Sequence, residues 1–445
     1  MLKHKIGTLA LLSTLPFLLT ACTLQDLPVI GKFFSGGGGG PAELTMWGLW
    51  EKDYVYNALL NDYKKESPNT SLKYQDMSVL NLNGLVEYKK RVFSRMEQKD
   101  WDADVVMVHN SWVPRLISAG YLEPMPTSML SAQKYSELFY PAATESGVKD
   151  DKVYAIPAYY DGLVLVYNKE HFAEINQETA PTAWEEFRRI AISLTKFSDD
   201  QDKNIIRAGA AVGFSDNIAH FSDIIGLMWS QAGVSFPDGM DSVPAQDAFS
   251  FYVSLMKDHK VWRGDFPEAT TAFVNGQVSM IFVPSWQILD ILSANPNMDI
   301  GVAPVPQALS NNPVNWASFW MYVVPKSSPH KAEAWKFLNY LTTESSQRIL
   351  FEEGSKVRAF GEPYALVSMA GEFSNDKYLG PLLQSARTAT TSEVASRSGN
   401  RAQEEALKTA IKMVYSTEDG FTVEEALKAA KEQLLNPASE QPASN

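Results

Sequence analysis

Short apolar runs alternate with longer amphipathic stretches along most of the chain. Residues 44–47, 71–74 and 104–108 read as strands, and the third is a continuous apolar run of the kind buried on both faces. Between them, residues 53–67 place Val55, Leu59 and Tyr63 on one helical face, and residues 83–98 form a basic amphipathic helix. The loop His109–Trp112 leads into a helix that Gly120 can end. Strands alternating with helices predict an α/β body with a largely parallel sheet. Ligands of such sheets sit beyond the carboxyl ends of strands, which is where Trp50, Glu51, Asn110, Ser111 and Trp112 fall.

The stretch 153–172 organises the rest. Pro157 cannot donate to a ladder, so it marks a strand end or a crossover. Residues 163–167 form a second apolar run bounded by Gly162 and Asn168. The chain is expected to cross here from one lobe to another, with Tyr159, Tyr160 and Asp161 facing the gap. The alternative is a plain sheet edge carrying two half-buried tyrosines.

Beyond it, Thr182 and Glu185 have capping-box spacing, and Trp184, Phe187, Ile190 and Leu194 continue one apolar face. A small strand is predicted over 210–214, a polar loop with His220 over 216–221, and an apolar helix over 224–231. A helix end at 269–274 precedes a strand at 278–283, the loop Pro284–Ser285–Trp286 and a helix at 288–292. A strand follows at 300–303. Residues 316–324 are aromatic and β-rich, and Ser328–Pro329 has the form of a helix start. Residues 401–415 and 422–435 are amphipathic helices, the second opened by the capping pair Thr422 and Glu425. The polar end, 438–445, is expected to be a flexible tail.

Length and charge narrow the class. A chain of 445 residues is too long for one core. The formal charge is −13, and residues 1–42 hold three lysines against one aspartate, so the remainder carries −15. That argues against nucleic acid or anionic lipid as the main partner. Lys3 and Lys5 precede an uncharged stretch from Ile6 to Ala21, the form of a secretory signal over 1–21. Cys22 is the sole cysteine, which excludes an intrachain disulfide and a cysteine zinc site. The five glycines 36–40 and Pro41 read as a tether over 22–42; a coil of about 20 residues reaches roughly 25 Å.

Catalytic motifs are missing: there is no G-x-S-x-G, Walker A, G-x-G-x-x-G or H-E-x-x-H. The histidines share no ligand spacing, so no metal and no cofactor is expected. What is abundant is aromatic residues in loops after strands: Trp50, Trp112, Tyr159, Tyr160 and Trp286, with Trp316 and Trp320 later. Ring faces take the C–H faces of a sugar, and carboxylates or amides take its hydroxyls. Trp47, Trp184, Trp229 and Trp335 are assigned to core.

Several motifs in order resemble the sugar-binding family of extracellular solute-binding proteins of ABC importers, which includes maltose-binding protein. Leu19-Thr20-Ala21-Cys22 resembles a bacterial lipobox, and the body adds Leu44-Thr-Met-Trp-Gly48, Asp104-Val-Val-Met-Val108, Val153-Tyr-Ala-Ile-Pro157, Leu165-Val-Tyr-Asn-Lys169, Pro181-Thr-Ala-Trp184 and Ala272-Phe-Val-Asn-Gly276. The resemblance implies lipidation at Cys22, whose alternative is an uncleaved anchor helix with an inert cysteine. It implies a two-lobed periplasmic-binding-protein-like fold closing on ligand like a hinge, with lobes of 43–156 plus 321–368 and 157–320 plus 369–437. It maps ligand contacts to Glu51, Asn110, Ser111, Trp112, Asp161 and Trp286, and more loosely to His220 and Arg397. The partners implied are a carbohydrate, an ABC permease and, through lipid, a membrane; the body is expected to be an extracytoplasmic monomer and not an enzyme. A secreted carbohydrate hydrolase and a ligand-free adhesin or scaffold are the alternatives.

Overall fold

The computed structural model describes residues 42–80, 84–99, 102–198, 204–416 and 420–435. The leader, Cys22, the glycine tether and the tail 438–445 lie outside them.

The first strands each hand over to a helix that covers the sheet. β1 (Ala42–Gly48) is followed by α1 (Asp53–Glu66), which buries Val55, Leu59 and Tyr63 as the periodicity requires. β2 (Thr70–Asp76), α2 (Leu85–Gln98), the fully buried β3 (Val105–His109) and α3 (Val113–Ser118) repeat the pattern. The chain then runs through β4 (Ala155–Pro157) and β5 (Leu163–Asn168). Next come α4 (Trp184–Leu194), α5 (Phe221–Gln231), α6 (Val243–Lys257), α7 (Ala269–Val274), β6 (Met280–Pro284), α8 (Ser285–Ala294) and β7 (Ile300–Ala303). The last third holds β8 (Asn315–Trp316), β9 (Trp320–Val323), α9 (Lys331–Tyr340), α10 (Glu344–Ser355), β10 (Ala389–Thr390), α11 (Arg401–Tyr415) and α12 (Val423–Leu435).

Two main sheets result. β2, β1, β3, β9 and β4 form a five-stranded sheet in that order, and β6, β5 and β7 form a three-stranded one. α1 packs with α10, and its Tyr63 also meets Phe337 and Tyr340 of α9. α11 and α12 pack on each other and on α6.

The expectation of a largely parallel sheet is corrected. β1 and β3 are parallel, but β9 runs antiparallel to β3 and β4, and β5 runs antiparallel to β6 and β7. The reason is the direction of travel across the gap between the sheets. β1, β3, β4 and β6 end at the gap, whereas β5 and β9 begin there after crossing it.

Three crossings lie side by side. Gly162, between β4 and β5, bridges Ala317, between β8 and β9, and β8 pairs with β10. A Cβ on Gly162 would stand 2.2 Å from the carbonyl oxygen of Trp316, so only glycine lets the first two crossings touch.

Four local expectations also change. Residues 210–214 form no strand; the strand lies at Ile205–Arg207. The small residues there serve close packing, since a Cβ on Gly209 would meet the Ala191 carbonyl oxygen at 1.8 Å. Trp286 sits in the first turn of α8 rather than in a loop. α9 starts at Lys331, two residues after Pro329, although Ser328 accepts the His330 N–H at 3.1 Å while donating its hydroxyl to Asp104 at 2.6 Å. The N–H of Thr182 is taken by Glu186 at 2.9 Å, not by Glu185. Thr422 and Glu425 do form the reciprocal box, at 2.9 and 3.2 Å.

Among the described residues, no helix is long and apolar enough to cross a membrane. Leu165 is fully buried at the centre of the second sheet. Leu165→Ala is expected to cost about 2–5 kcal/mol. The check is a lower denaturant midpoint at unchanged slope.

Candidate ligand-binding cleft

The strand ends of both sheets face a cavity of about 790 Å³. That volume lies within the range of about 300–1,000 Å³ usual for small-molecule sites. Its walls come from the loop after β1, the first crossing, the start of α8, the loop after α10 and the third crossing.

Trp50 follows β1, is 46% exposed and holds φ at +61°. A bulky side chain in the left-handed region is strained, so its surroundings must hold it there. Asp76 accepts its N–H at 3.0 Å, and Trp320 meets its ring edge-on at 5.2 Å. Next to it, Glu51 is buried and bonded to Arg358 at 2.9 Å. The same Arg358 nitrogen reaches Glu362 at 2.8 Å. One guanidinium thus serves two carboxylates. Burial pushes the Glu362 carboxyl up to about 7; Arg358 opposes this, and the charges of Glu51 and Asp161 add to it.

Asp161 stands on the first crossing, 1% exposed. Its Oδ1 accepts the N–H of Gly162 at 2.7 Å and of Ser285 at 2.9 Å. The second bond caps α8 from outside, satisfying a donor that the helix leaves free. Burial pushes this carboxyl up to about 6, against the pull of those N–H groups. The cap fixes the first turn of α8 and with it Trp286, half-buried in the cleft wall. The Arg397 guanidinium lies 5.0 Å from the Trp286 ring centroid, from a backbone with φ of +50°. His220 lies 6.1 Å from the same ring. Its Nδ1 is 2.9 Å from Asp223 and 2.8 Å from Ser396, and its Nε2 is 2.7 Å from Gln287.

Trp50, Glu51, Tyr159, Asp161, His220, Trp286 and Arg397 therefore line one cavity. The other expected site residues stand elsewhere. Asn110 and Ser111 line a second cavity of about 570 Å³. Trp112 is buried and donates to the Ser398 carbonyl at 2.7 Å. Tyr160 is buried between Tyr140 and Phe319, because neighbours on an extended crossing point to opposite sides and Tyr159 takes the cleft side. Trp316 is buried and donates to Asp223 at 2.8 Å, while Trp320 reaches the cleft. Trp47, Trp184, Trp229 and Trp335 are core.

Arg358 and Glu362 were not singled out from the sequence. Their signal is weak: an arginine and an acid four apart around Gly361, before Pro363, in a stretch without hydrophobic period. Ser396 and Asp223 share one nitrogen of His220, so the trio lacks the nucleophile–base–orienter line of an acyl-transfer site. Among the described residues, no group of three or more His, Cys, Asp or Glu could hold a metal ion. Rings and acids lining one cavity can take the faces and hydroxyls of a flat polyol.

A family model described as bacterial extracellular solute-binding protein matches residues 47–348, more than half of the chain. A curated binding protein of Brucella abortus is 22% identical over 248 residues, 54% of this chain and 58% of that protein. The chain thus spans less than two thirds of the length of the curated relatives it matches. Three solved structures share the fold. A solute-binding protein of an ABC transporter from Thermotoga lettingae, bound with α-D-tagatose, is 22% identical with a TM-score of 0.64, covering 88% of this chain and 98% of that one. A cyclo/maltodextrin-binding protein complexed with maltotetraose is 15% identical with a TM-score of 0.68, covering 91% and 99%. The sugar-binding protein MalE from Xanthomonas citri is 16% identical with a TM-score of 0.69, covering 88% and 96%.

Folded Glu362 keeps its proton to about 7, above the ordinary 4.5 of the unfolded chain. The folded state binds more protons between those values, so this group's contribution to stability falls as pH rises through that window. Glu362→Gln, which cannot ionise, should gain stability relative to wild type from about pH 5 to about pH 7. Thermal melting at a series of pH values checks this; a constant difference would refute it.

Proposed function

This chain belongs to the bacterial extracellular solute-binding proteins, and from that premise we propose that it captures a carbohydrate outside the cytoplasm and hands it to the permease of an ABC importer. The observation that carries the reading is that Trp50, just after β1 of the first sheet, and Trp286, at the start of α8 after β6 of the second, line one cavity together with Glu51 and Asp161. The rings supply apolar faces, and the acids accept hydroxyl protons. The lobes are 43–156 with 321–368 and 157–320 with 369–437; the segments at 158–162, 317–319 and 389–400 lie along the seam between them. Closure brings the walls together around the sugar, and the closed form is favoured only by contacts that the open form lacks. The body works as a monomer, tethered by lipid on Cys22 through the glycine-rich segment.

The cleft suits a neutral ligand better than an anionic one. Arg358 is already shared by Glu51 and Glu362, and Arg397 lies over Trp286. Capture requires no covalent step. The competing reading, a hydrolase, needs two carboxyl groups working across a scissile bond. Of the cleft acids, Glu51 is held by Arg358 and Asp161 by backbone N–H groups.

The deciding measurement is tryptophan fluorescence of the body from Glu43 onward, titrated with tagatose, mannotriose and maltotetraose, the sugars bound in three similar structures. A saturable shift with the sugar intact is expected. Sugar breakdown would favour the hydrolase, and no response to any probe would remove the carbohydrate reading. Trp286→Ala should weaken binding at least about tenfold without unfolding the body; unchanged affinity would exclude the ring from the site. Cys22→Ser in the full chain should abolish incorporation of labelled fatty acid and release the protein from membranes.

A further inference from the structure

The Asp223 carboxylate is buried and fully bonded in the cleft wall, behind His220. Its Oδ1 accepts the indole N–H of Trp316 at 2.8 Å and the backbone N–H of Ser396 at 3.0 Å. Its Oδ2 accepts from His220 Nδ1 at 2.9 Å and from the Ser396 hydroxyl. Four donors from three segments meet on one side chain: Trp316 precedes the second crossing, Ser396 lies on the third, and His220 caps α5. A buried carboxylate with such partners is costly to disturb, since each donor left behind would be unpaired.

The third crossing is tied to the first sheet as well. Trp112 donates to the Ser398 carbonyl at 2.7 Å, Asn400 donates to Ser111 at 2.9 Å, and Asn110 donates to Thr391 at 3.0 Å. Residues 391–400 are thus a strap fastened at both ends, and Asp223 is its fastening on the α5 side. The next residue after Ser396 is Arg397, whose left-handed backbone needs an external hold.

The charge state of the fastening follows from its hydrogen bonds. Gln287 donates its amide to Thr270 at 2.5 Å and so presents its oxygen to His220 Nε2. Nδ1 faces a carboxylate. Both ring nitrogens thus have hydrogen-bond partners. Burial pushes Asp223 up, but the His220 and Ser396 bonds outweigh it and hold the carboxyl below its usual range. The other charged or titratable groups near the pair are Arg397 on the strap, Glu404 on α11, His109 after β3 and Asp290 on α8.

We propose that Asp223 is a positioning residue for capture: bonded to His220, it clamps Ser396 and thereby sets Arg397 against Trp286. This rests on the carbohydrate-capture reading for its purpose, but the clamp itself has a signature that needs no ligand. Arg397 against an indole face should show a ring-current-shifted Nε–H resonance, assigned by its loss in Arg397→Lys.

The test compares wild type, Asp223→Asn and Ser396→Ala by NMR and by titration with tagatose, mannotriose and maltotetraose. In wild type, the ring-current-shifted Arg397 resonance should be present. Asp223→Asn should lose that shift and bind about tenfold more weakly, the scale of a lost bond to a charged group; Ser396→Ala loses the hydroxyl bond but keeps the backbone N–H bond to Asp223, so it should reduce both part-way. Ser396→Ala keeps the Asp223–His220 pair, so it decides the matter if Asp223→Asn does not fold. An unchanged Arg397 shift in Ser396→Ala would overturn the clamp. If wild type binds no probe while the NMR signatures appear, the capture reading fails and the clamp stands.

Discussion

The rest of the structure depends on a narrow seam where three extended segments pass between two sheets. Extended backbone carries unsatisfied donors and acceptors along both edges, and burying it demands partners. The crossings supply them to one another through the Gly162–Ala317 bridge and the β8–β10 pairing. The seam closes only because Gly162 has no side chain to strike the Trp316 carbonyl. It also sets the direction of strands in both sheets, since each strand either arrives from the seam or leaves toward it.

Charge in the cleft follows from the same crowding. Acids are brought close with few cations to match them. Arg358 serves Glu51 and Glu362 together, and Asp161 relies on backbone N–H groups. Burial therefore favours the neutral form of Glu362 and Asp161, and hydrogen bonds limit the cost. Asp223 is the contrasting case: His220 and Ser396 outweigh burial and hold its carboxyl below the usual range. The difference lies in the kind of partner rather than in depth or bond number, since Asp161 is as enclosed and is bonded by Gly162, Ser285 and Trp286, yet burial still prevails there.

Strain and function coincide at two points of the wall. Trp50 and Arg397 are the cleft residues with positive φ and large side chains. Each is held by bonds from elsewhere, Trp50 by Asp76 and Arg397 through its neighbour Ser396. Such positions persist where the surroundings over-determine them, and they fix a side chain more firmly than a relaxed loop would.

The sequence by itself determined the elements and the place of the cleft. Periodicity located α1, β3, β5 and α12, and the bend at Pro157 marked the first crossing, because these signals depend on neighbours within one turn or one strand. It likewise brought Glu51, Asp161 and Trp286 to notice, each just beyond a strand. Only the tertiary structure decided which aromatic faces the cleft. Tyr159 and Tyr160 are adjacent, and Trp316 and Trp320 share a stretch, yet one of each pair is buried. That choice turns on which side of the seam the backbone presents, and it is set by residues on other elements, such as Asp223 for Trp316 and Phe319 for Tyr160. The same holds for Asn110, Ser111 and Trp112, whose bonds go to the third crossing, and for Arg358, whose partner Glu51 is distant in the chain. Local pattern fixes what a segment is; long-range hydrogen bonding and close packing decide what its side chains are for.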